Sequence, residues 1–251
     1  MLREWRSDLH IHSALSPCAD LEMTPRAIVR QARMKGLDII GICDHNSVEN
    51  VLAVKSVGER QGVSVVGGME ITSIEEVHIL ALLDKDSGLQ ALQDIVYEHL
   101  DGVNDERVFG EQLLLDEDDT ILGRTSRLLI GSTTLLLGTI LEIVHSLDGL
   151  AIASHVDRES FSIISQLGFI PDGLPLDGLE LSLLGSREAF KTEFPEAFTE
   201  FPLVAFSDAH YLDDVGKGST WFSMEETTLE EMRKALRGED GRSVSTCPGH
   251  H

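Results

Sequence analysis

The chain has 251 residues, 42% of them hydrophobic and 25% charged, a composition that fits a globular α/β protein with a sizeable buried core. Its 43 acidic residues against 20 basic ones give a net charge of −23, a field that repels phosphate backbones, so long nucleic acid is not expected as a partner. No apolar stretch reaches the roughly 18 residues that span a membrane, residues 1–12 do not read as a signal peptide, and Cys18, Cys43 and Cys247 form no CxxC pair, which together suit a reducing, cytoplasmic setting.

Taken in chain order, apolar strand-like runs alternate with amphipathic stretches. Residues 7–12 read as a strand. Thr24 then caps a helix that has Pro25 at its first position and stops at Gly36. Residues 38–43 form a buried strand in which Cys43 reads as core, and 47–61 a helix with Val48, Val51, Leu52 and Val54 at its apolar positions. Strands follow at 63–67 and 77–83, and a helix at 89–100. Residues 101–120 hold eight acids against the single base Arg107, so 101–131 reads as an acidic insertion or solvated loop. A helix at 133–147 and strands at 150–154, 176–181, 203–207 and 220–223 continue the alternation. Thr228 with Glu231 three residues on is a capping box for a last helix ending at Gly238. Such alternation predicts a parallel sheet covered by helices, and seven or eight strands over about 220 residues favour a (β/α) barrel, taken as one domain over 1–251. The terminal His250-His251 is set aside as a native end or a tag remnant.

The ten histidines are unevenly placed. His10 and His12 stand two apart at the end of the first strand, so both imidazoles share a face and can converge on one ion. Asp44-His45 closes the second strand, and Glu70 follows the third in Gly67-Gly-Met-Glu70. His78 lies in the fourth strand, His155 just past 150–154, and Asp208-Ala-His210 repeats the i, i+2 spacing after 203–207. One His-x-His pair is as often structural as metal-binding. A set recurring at successive strand C-termini is different, because in a parallel barrel those ends form the face on which active sites are built. His99 and His145 fall within helix patterns and read as structural. Imidazoles mixed with carboxylates suit Zn, Mn or Fe, whereas Mg prefers oxygen ligands.

The segments Asp8-Leu-His-Ile-His12, Cys43-Asp-His45, Gly68-Met-Glu70, Val77-His78, Ser154-His-Val-Asp-Arg158 and Ser207-Asp-Ala-His210 together resemble the PHP (polymerase and histidinol phosphatase) family of metal-dependent phosphoesterases, over residues 8–210. The resemblance implies a distorted seven-stranded (β/α) TIM-like barrel that holds two or three Zn, Mn or Fe ions. It implies ligation by His10, His12, His45, Glu70, His78, His155, Asp208 and His210, with Glu70 bridging two ions. The chain departs from the family at Cys18, where relatives carry His or Asp. Its thiol, with Asp20 close by, is a further candidate ligand for a third ion. The family's Ala-His-Pro becomes Ser154-His155-Val156. Arg158, three residues after His155, is the candidate fork for a phosphate oxygen, and Asp44 the second candidate catalytic group. The structural alternative for Arg158 is an ion pair with Asp157 or another carboxylate.

The expected activity is hydrolysis of small phosphate monoesters or nucleotide phosphates by a metal-activated hydroxide. The alternatives are an exonuclease of the same chemistry, which needs a basic groove that the sequence does not display, a non-catalytic metal-binding regulatory or assembly protein, and an amidohydrolase-type deacylase. The loops 13–23, 102–131 and 168–175 carry no recognition motif.

Overall fold

A computed structural model describes residues 1–183 and 185–246, so Cys247 and His250-His251 lie outside the described residues. The first strand, β1 (Arg3–Ile11), is exposed at its start and wholly buried over its last five residues. α1 (Pro25–Met34) begins at Thr24, where Pro25 presets the first-turn φ, and packs Ile28, Val29 and Ala32 inward. β2 (Ile39–Ile42) is buried throughout. α2 (Val51–Gln61) starts later than its apolar pattern suggests. Asn50 donates to Ser13 Oγ and the Leu113 carbonyl and accepts from Leu115 N–H, and Val48 N–H is held by Gln93, so the preceding residues are committed to turns.

β3 (Ser64–Thr72) and β4 (His78–Leu83) are followed by α3 (Asp86–Glu98). The acidic segment is a folded excursion: α4 (Glu106–Phe109) precedes a hairpin of β5 (Leu113–Leu115) and β6 (Ile121–Arg124). The acids at its tip reach back to the helices, Glu117 pairing with Arg60 at 3.2 Å and Asp118 with Arg26. α5 (Leu137–Ser146), β7 (Leu150–Ala153), α6 (Ile163–Leu167), β8 (Gly178–Leu181), α7 (Arg187–Glu193), α8 (Pro195–Glu200) and β9 (Leu203–Ala205) complete the alternation. β10 (Thr220–Met224), α9 (Leu229–Arg237) and β11 (Ser243–Ser245) end the described chain. Half of the expected capping box forms on α9. Thr228 accepts from Glu231 N–H, while the Glu231 carboxylate turns away to accept from Arg242 and from Glu225 N–H.

The main sheet runs in the order β11-β10-β1-β2-β3-β4-β7-β8-β9, with β5 and β6 apart. Its seven strands from β1 to β9 curl until Ala209 bridges Ile11 in parallel register, which nearly closes a distorted (β/α) barrel. The expectation of an all-parallel sheet is corrected: β10 and β11 extend it antiparallel beyond β1, and one strand within the barrel is reversed. β1, β2 and β3 are parallel, as are β7, β8 and β9, but β4 runs antiparallel to both β3 and β7. Residues 73–77 are too few for a crossover helix, and a short link between adjacent strands forces a hairpin. Apolar residues fall into two main clusters, one beneath the covering helices and one joining Leu9, Val66, Leu80, Ile152 and Phe206 to Met232 and Leu236 of α9. No helix among the described residues is long and apolar enough to cross a membrane.

The close approach of β1 and β2 is tolerated because position 41 lacks a side chain: a methyl there would collide with the Leu9 main chain. Gly41→Ala is expected to destabilise the fold by about 1–3 kcal/mol. Gly138→Ala, which meets open space in α5, should instead stabilise it by roughly 0.4–1 kcal/mol. Urea unfolding followed by circular dichroism checks both signs.

Candidate metal centre

The barrel gathers the expected residues at one end. His10 and His12 come from the end of β1, His45 from the turn after β2, and Glu70 from near the end of β3. His155 follows β7, and Asp208 and His210 follow β9. His78 arrives by a different route from the one expected. It is the first residue of the reversed strand β4, paired with Thr72, so its strand start lies beside the strand ends of the others. Asn46, His155 and Asp208 hold φ of +49°, +30° and +49°, a left-handed backbone that non-glycine residues adopt mainly where surrounding structure enforces it.

Glu70 is the hub. Its Oε1 lies 2.9 Å from His78 Nδ1, 3.2 Å from His155 Nε2 and 3.4 Å from His10 Nε2. Its Oε2 lies 3.1 Å from His45 Nδ1 and 3.4 Å from His12 Nε2. Asp208 Oδ1 is 3.2 Å from His10 Nε2 and 3.1 Å from His12 Nε2, and those two nitrogens are 3.2 Å apart. His210 stacks on His12 with ring centroids 4.2 Å apart.

The tautomers follow from the outer partners. Glu180 accepts from His10 Nδ1 at 3.0 Å, so that nitrogen carries the proton and Nε2 is left with a lone pair. Ser16 Oγ gives its own proton to Asp44 at 2.7 Å, and therefore accepts from His12 Nδ1 at 2.9 Å. With both rings neutral, two imidazole lone pairs and a carboxylate oxygen face one another across about 3.2 Å. Ligands about 2.1 Å from one ion and set at the tetrahedral angle are roughly 3.4 Å apart, which is the spacing seen here.

Among the described residues, three sets have ligand atoms within 4.8 Å of one another: His12, His45 and His210; His10, His12, Glu70 and Asp208; and His45, Glu70 and His78. His45 Nδ1 and His155 Nδ1 are buried without a hydrogen-bond partner, the former despite its nearness to Glu70. Buried orphans of this kind call for an ion or a proton. The donor set therefore fits divalent cations.

Charge couplings show how strongly the carboxylates draw positive charge, whether a proton or a cation, to His10. Burial would push His10 down, but the carboxylates of Glu180, Asp208 and Glu70 outweigh it and hold the imidazole well above its ordinary value. Burial would raise Glu70, yet His78 and His10 hold it well below the usual carboxylate range. His210 is pushed down to about 4 by burial and by His12, so it is a neutral donor near pH 7.

Other expected residues stand differently. Asp44, expected as catalytic, has its carboxylate occupied by Ser13 N–H, Ser13 Oγ and Ser16 Oγ, each at 2.7 Å. It is fully buried and orients His12 through Ser16 rather than facing a substrate. Cys18 is exposed and belongs to none of the three sets, and Asp20 Oδ1 is turned to its own turn at Glu22 N–H. Arg158 reaches the centre, its Nη1 2.6 Å from Asp208 Oδ2. The carboxylate it meets is therefore not Asp157, which instead accepts from Ser182 N–H and Oγ. His99 and His145 lie elsewhere, bonded to Thr134 and Asp177. The residues alone did not point to Glu180, whose one signal is a lone carboxylate in the buried run Gly178-Leu-Glu-Leu181.

Comparison with known proteins places this geometry in context. Over 80 residues the chain is 35% identical to the phosphoribosyl 1,2-cyclic phosphate 1,2-diphosphodiesterase of Eggerthella lenta, which covers 30% of this chain and 29% of that protein. Over 78 residues it is 28% identical to a 5'-3' exoribonuclease of Haemophilus influenzae, covering 30% of this chain and 27% of that protein. Among solved structures, the lesion-specific endonuclease Q of Pyrococcus furiosus superposes with a TM-score of 0.72 at 21% identity, over 96% of this chain and 58% of that one. The chain thus spans under a third of both enzymes and little more than half of the endonuclease.

These neighbours correct the expectation drawn from net charge. An endonuclease Q structure that superposes with a TM-score of 0.71 is a complex with a 27-mer duplex carrying an abasic lesion at the active site, so this fold is compatible with long nucleic acid. A whole-chain sum of charge does not set the local potential, and acids such as Glu117, Asp118 and Glu231 are already paired with Arg60, Arg26 and Arg242. Residues 198–240 match the model described as PHP-associated. Residues 8–164, more than half of the chain, match that of the PHP domain, and the chain belongs to the PHP domain family.

Proposed function

We propose that the chain is a phosphoester hydrolase that works with two or three divalent cations, Zn, Mn or Fe, held by His10, His12, His45, Glu70, His78, His155, Asp208 and His210. The reading treats 1–251 as one unit with 101–131 inserted into it. The observation that carries it is the cluster of buried imidazole nitrogens and carboxylate oxygens facing one another around Asp208 and Glu70. When bound, such cations supply Lewis acidity toward a phosphoryl oxygen and lower the pKa of water.

The chain's own residues do the rest. Glu180 fixes the His10 ring, and Asp44 with Ser16 fixes that of His12, which keeps both Nε2 atoms aimed inward. Arg158 stands at the mouth with its side chain 40% exposed. One N–H group meets Asp208, and its other donors can receive a phosphoryl oxygen in the planar geometry that guanidinium provides. Hydrolysis of a phosphodiester within nucleic acid is a second reading, supported by the exoribonuclease relative and the endonuclease Q fold.

Protein stripped of metal and titrated with Mn or Zn is expected to take up two or three equivalents. Uptake below one equivalent would overturn the proposal. Glu180→Gln should weaken that uptake by roughly 10- to 100-fold without unfolding the chain, since it removes the carboxylate that orients His10.

A panel of mononucleotides, a cyclic phosphodiester and single- and double-stranded oligonucleotides should show phosphoester cleavage in at least one class. Chelation should abolish the activity, Mn should restore it, and His12→Ala or Asp208→Ala should remove it along with bound metal. Cleavage that persists after chelation sinks the reading.

Arg158→Ala should lower kcat/KM by about 10²-fold, near 2.7 kcal/mol, with metal content close to normal. Loss of metal together with activity would assign Arg158 to supporting Asp208 instead.

A further inference from the structure

An aromatic ring covers His78. Phe161, in the loop between β7 and α6, stacks on the imidazole with ring centroids 4.7 Å apart and planes inclined by 24°. Its carbonyl accepts from His78 N–H at 2.9 Å. Its φ is +56°, a left-handed conformation that a bulky side chain rarely adopts and that survives only where its surroundings impose it. The ring nevertheless gains little from the core. Phe161 is 41% exposed, whereas Val156 and Ile163 on either side of it are fully buried. One ring face lies on His78, so the exposure falls on the other face and the edge.

The same loop carries the guanidinium. Ser162, next to Phe161, donates from Oγ to the Arg158 carbonyl at 2.8 Å, which draws both residues into one turn. The Asp157 carboxylate fastens that turn to Ser182 with bonds of 2.7 and 2.9 Å. A cation suited to a phosphoryl oxygen and a partly exposed aromatic ring are therefore carried on one short, braced segment.

We propose that Phe161 is a specificity-determining residue whose open face stacks on a nucleobase carried by the same molecule as the phosphoryl group that Arg158 receives. The inference rests on the phosphoesterase reading and deepens it, by naming the substrate class as nucleotide-bearing. Every base has a π-face, so such a platform accepts bases with little regard to sequence. The strain in the Phe161 backbone is then the cost of presenting a ring outward.

The test measures binding by calorimetry on Mn-loaded protein, with two phosphonates that cannot be cleaved because a methylene replaces the bridging oxygen. One is the analogue of adenosine 5'-monophosphate, the other that of ribose 5-phosphate. Wild type should favour the adenosine compound by roughly 5- to 150-fold, the range that base stacking on an aromatic side chain gives. Phe161→Ala should erase the preference while leaving affinity for the ribose compound and Mn content within about twofold. Phe161→Trp should keep it. Phe161→Gly, which also relieves the left-handed strain, should match the alanine variant and guards against loss of fold. Phe169→Ala, at a 61% exposed ring beside Phe194 and Phe201 in the groove along α8, should change nothing. Equal affinity of wild type for both ligands overturns the proposal. So does a preference that survives in Phe161→Ala, or a parallel loss of both ligands and Mn, which would make Phe161 a support for His78. A base preference with no ester of the hydrolysis panel cleaved would leave Phe161 as assigned and remove the phosphoesterase reading instead.

Discussion

The arrangement of this centre depends on where two protons point. His10 and His12 each direct an Nδ1 proton outward, to Glu180 and to Ser16, and so turn their remaining lone pairs toward Asp208 and Glu70. Three carboxylates, Glu70, Glu180 and Asp208, are buried with five imidazoles packed around the first of them. Burying so many acceptors is unfavourable unless positive charge lies among them. The sheet holds them together regardless, because each ligand sits at or beside a strand end whose position is set by backbone pairing. That is why the hydrogen-bonded outer residues matter as much as the ligands: with either proton on the inner nitrogen, the same side chains would form a self-satisfied polar cluster.

Much of this was legible in the residues. The barrel strands and the helices α1, α2, α3, α5 and α9 followed from apolar periodicity, whereas α4, α6, α7, α8, β5, β6 and β11 did not, and the pairing of His10 with His12 followed from i, i+2 spacing at a strand end. What escaped has identifiable causes. The reversal of β4 is written in the shortness of 73–77 rather than in any hydrophobic pattern, and a buried antiparallel strand is as continuously apolar as a parallel one. Glu180 is a single letter in an apolar run, and its role exists only because β8 lies across the barrel from β1. Asp44 was singled out as chemistry because it adjoins His45, yet neighbours along a strand end point to different sides. His45 faces Glu70, while Asp44 faces Ser13 and Ser16. The late start of α2 depends on Asn50 bonding to the hairpin strand at Leu113 and Leu115, contacts that no local window contains.

Net charge shows the limit of composition from another side. A total of −23 describes the far field, which salt screens over about 8 Å at physiological ionic strength. In the proposed reading a substrate meets Arg158, beside Asp208, where cations would offset Asp208 and Glu70. The acids of the hairpin tip are bound to Arg26 and Arg60 on the flanking helices, so they brace the insertion against the barrel as well as charging the surface.

The near-closure of the barrel carries a consequence for how the molecule opens. The seam between β1 and the segment after β9 is stitched by His12 N–H to the Ala209 carbonyl, by Ala209 N–H to the His10 carbonyl, and by the Asp8 carboxylate to Ser207 and Gly216 N–H. The residues that supply these stitches are the ligands themselves or their immediate neighbours, and His12 and Asp208 are 196 positions apart in the chain. A cation gripped from both sides of that seam would therefore also be a clasp on a long loop, and would help to offset the chain entropy lost in closing it. Stripping the cation loosens the clasp and leaves facing acceptors to push the two edges apart. The proposed metal centre would thus double as the latch of the barrel.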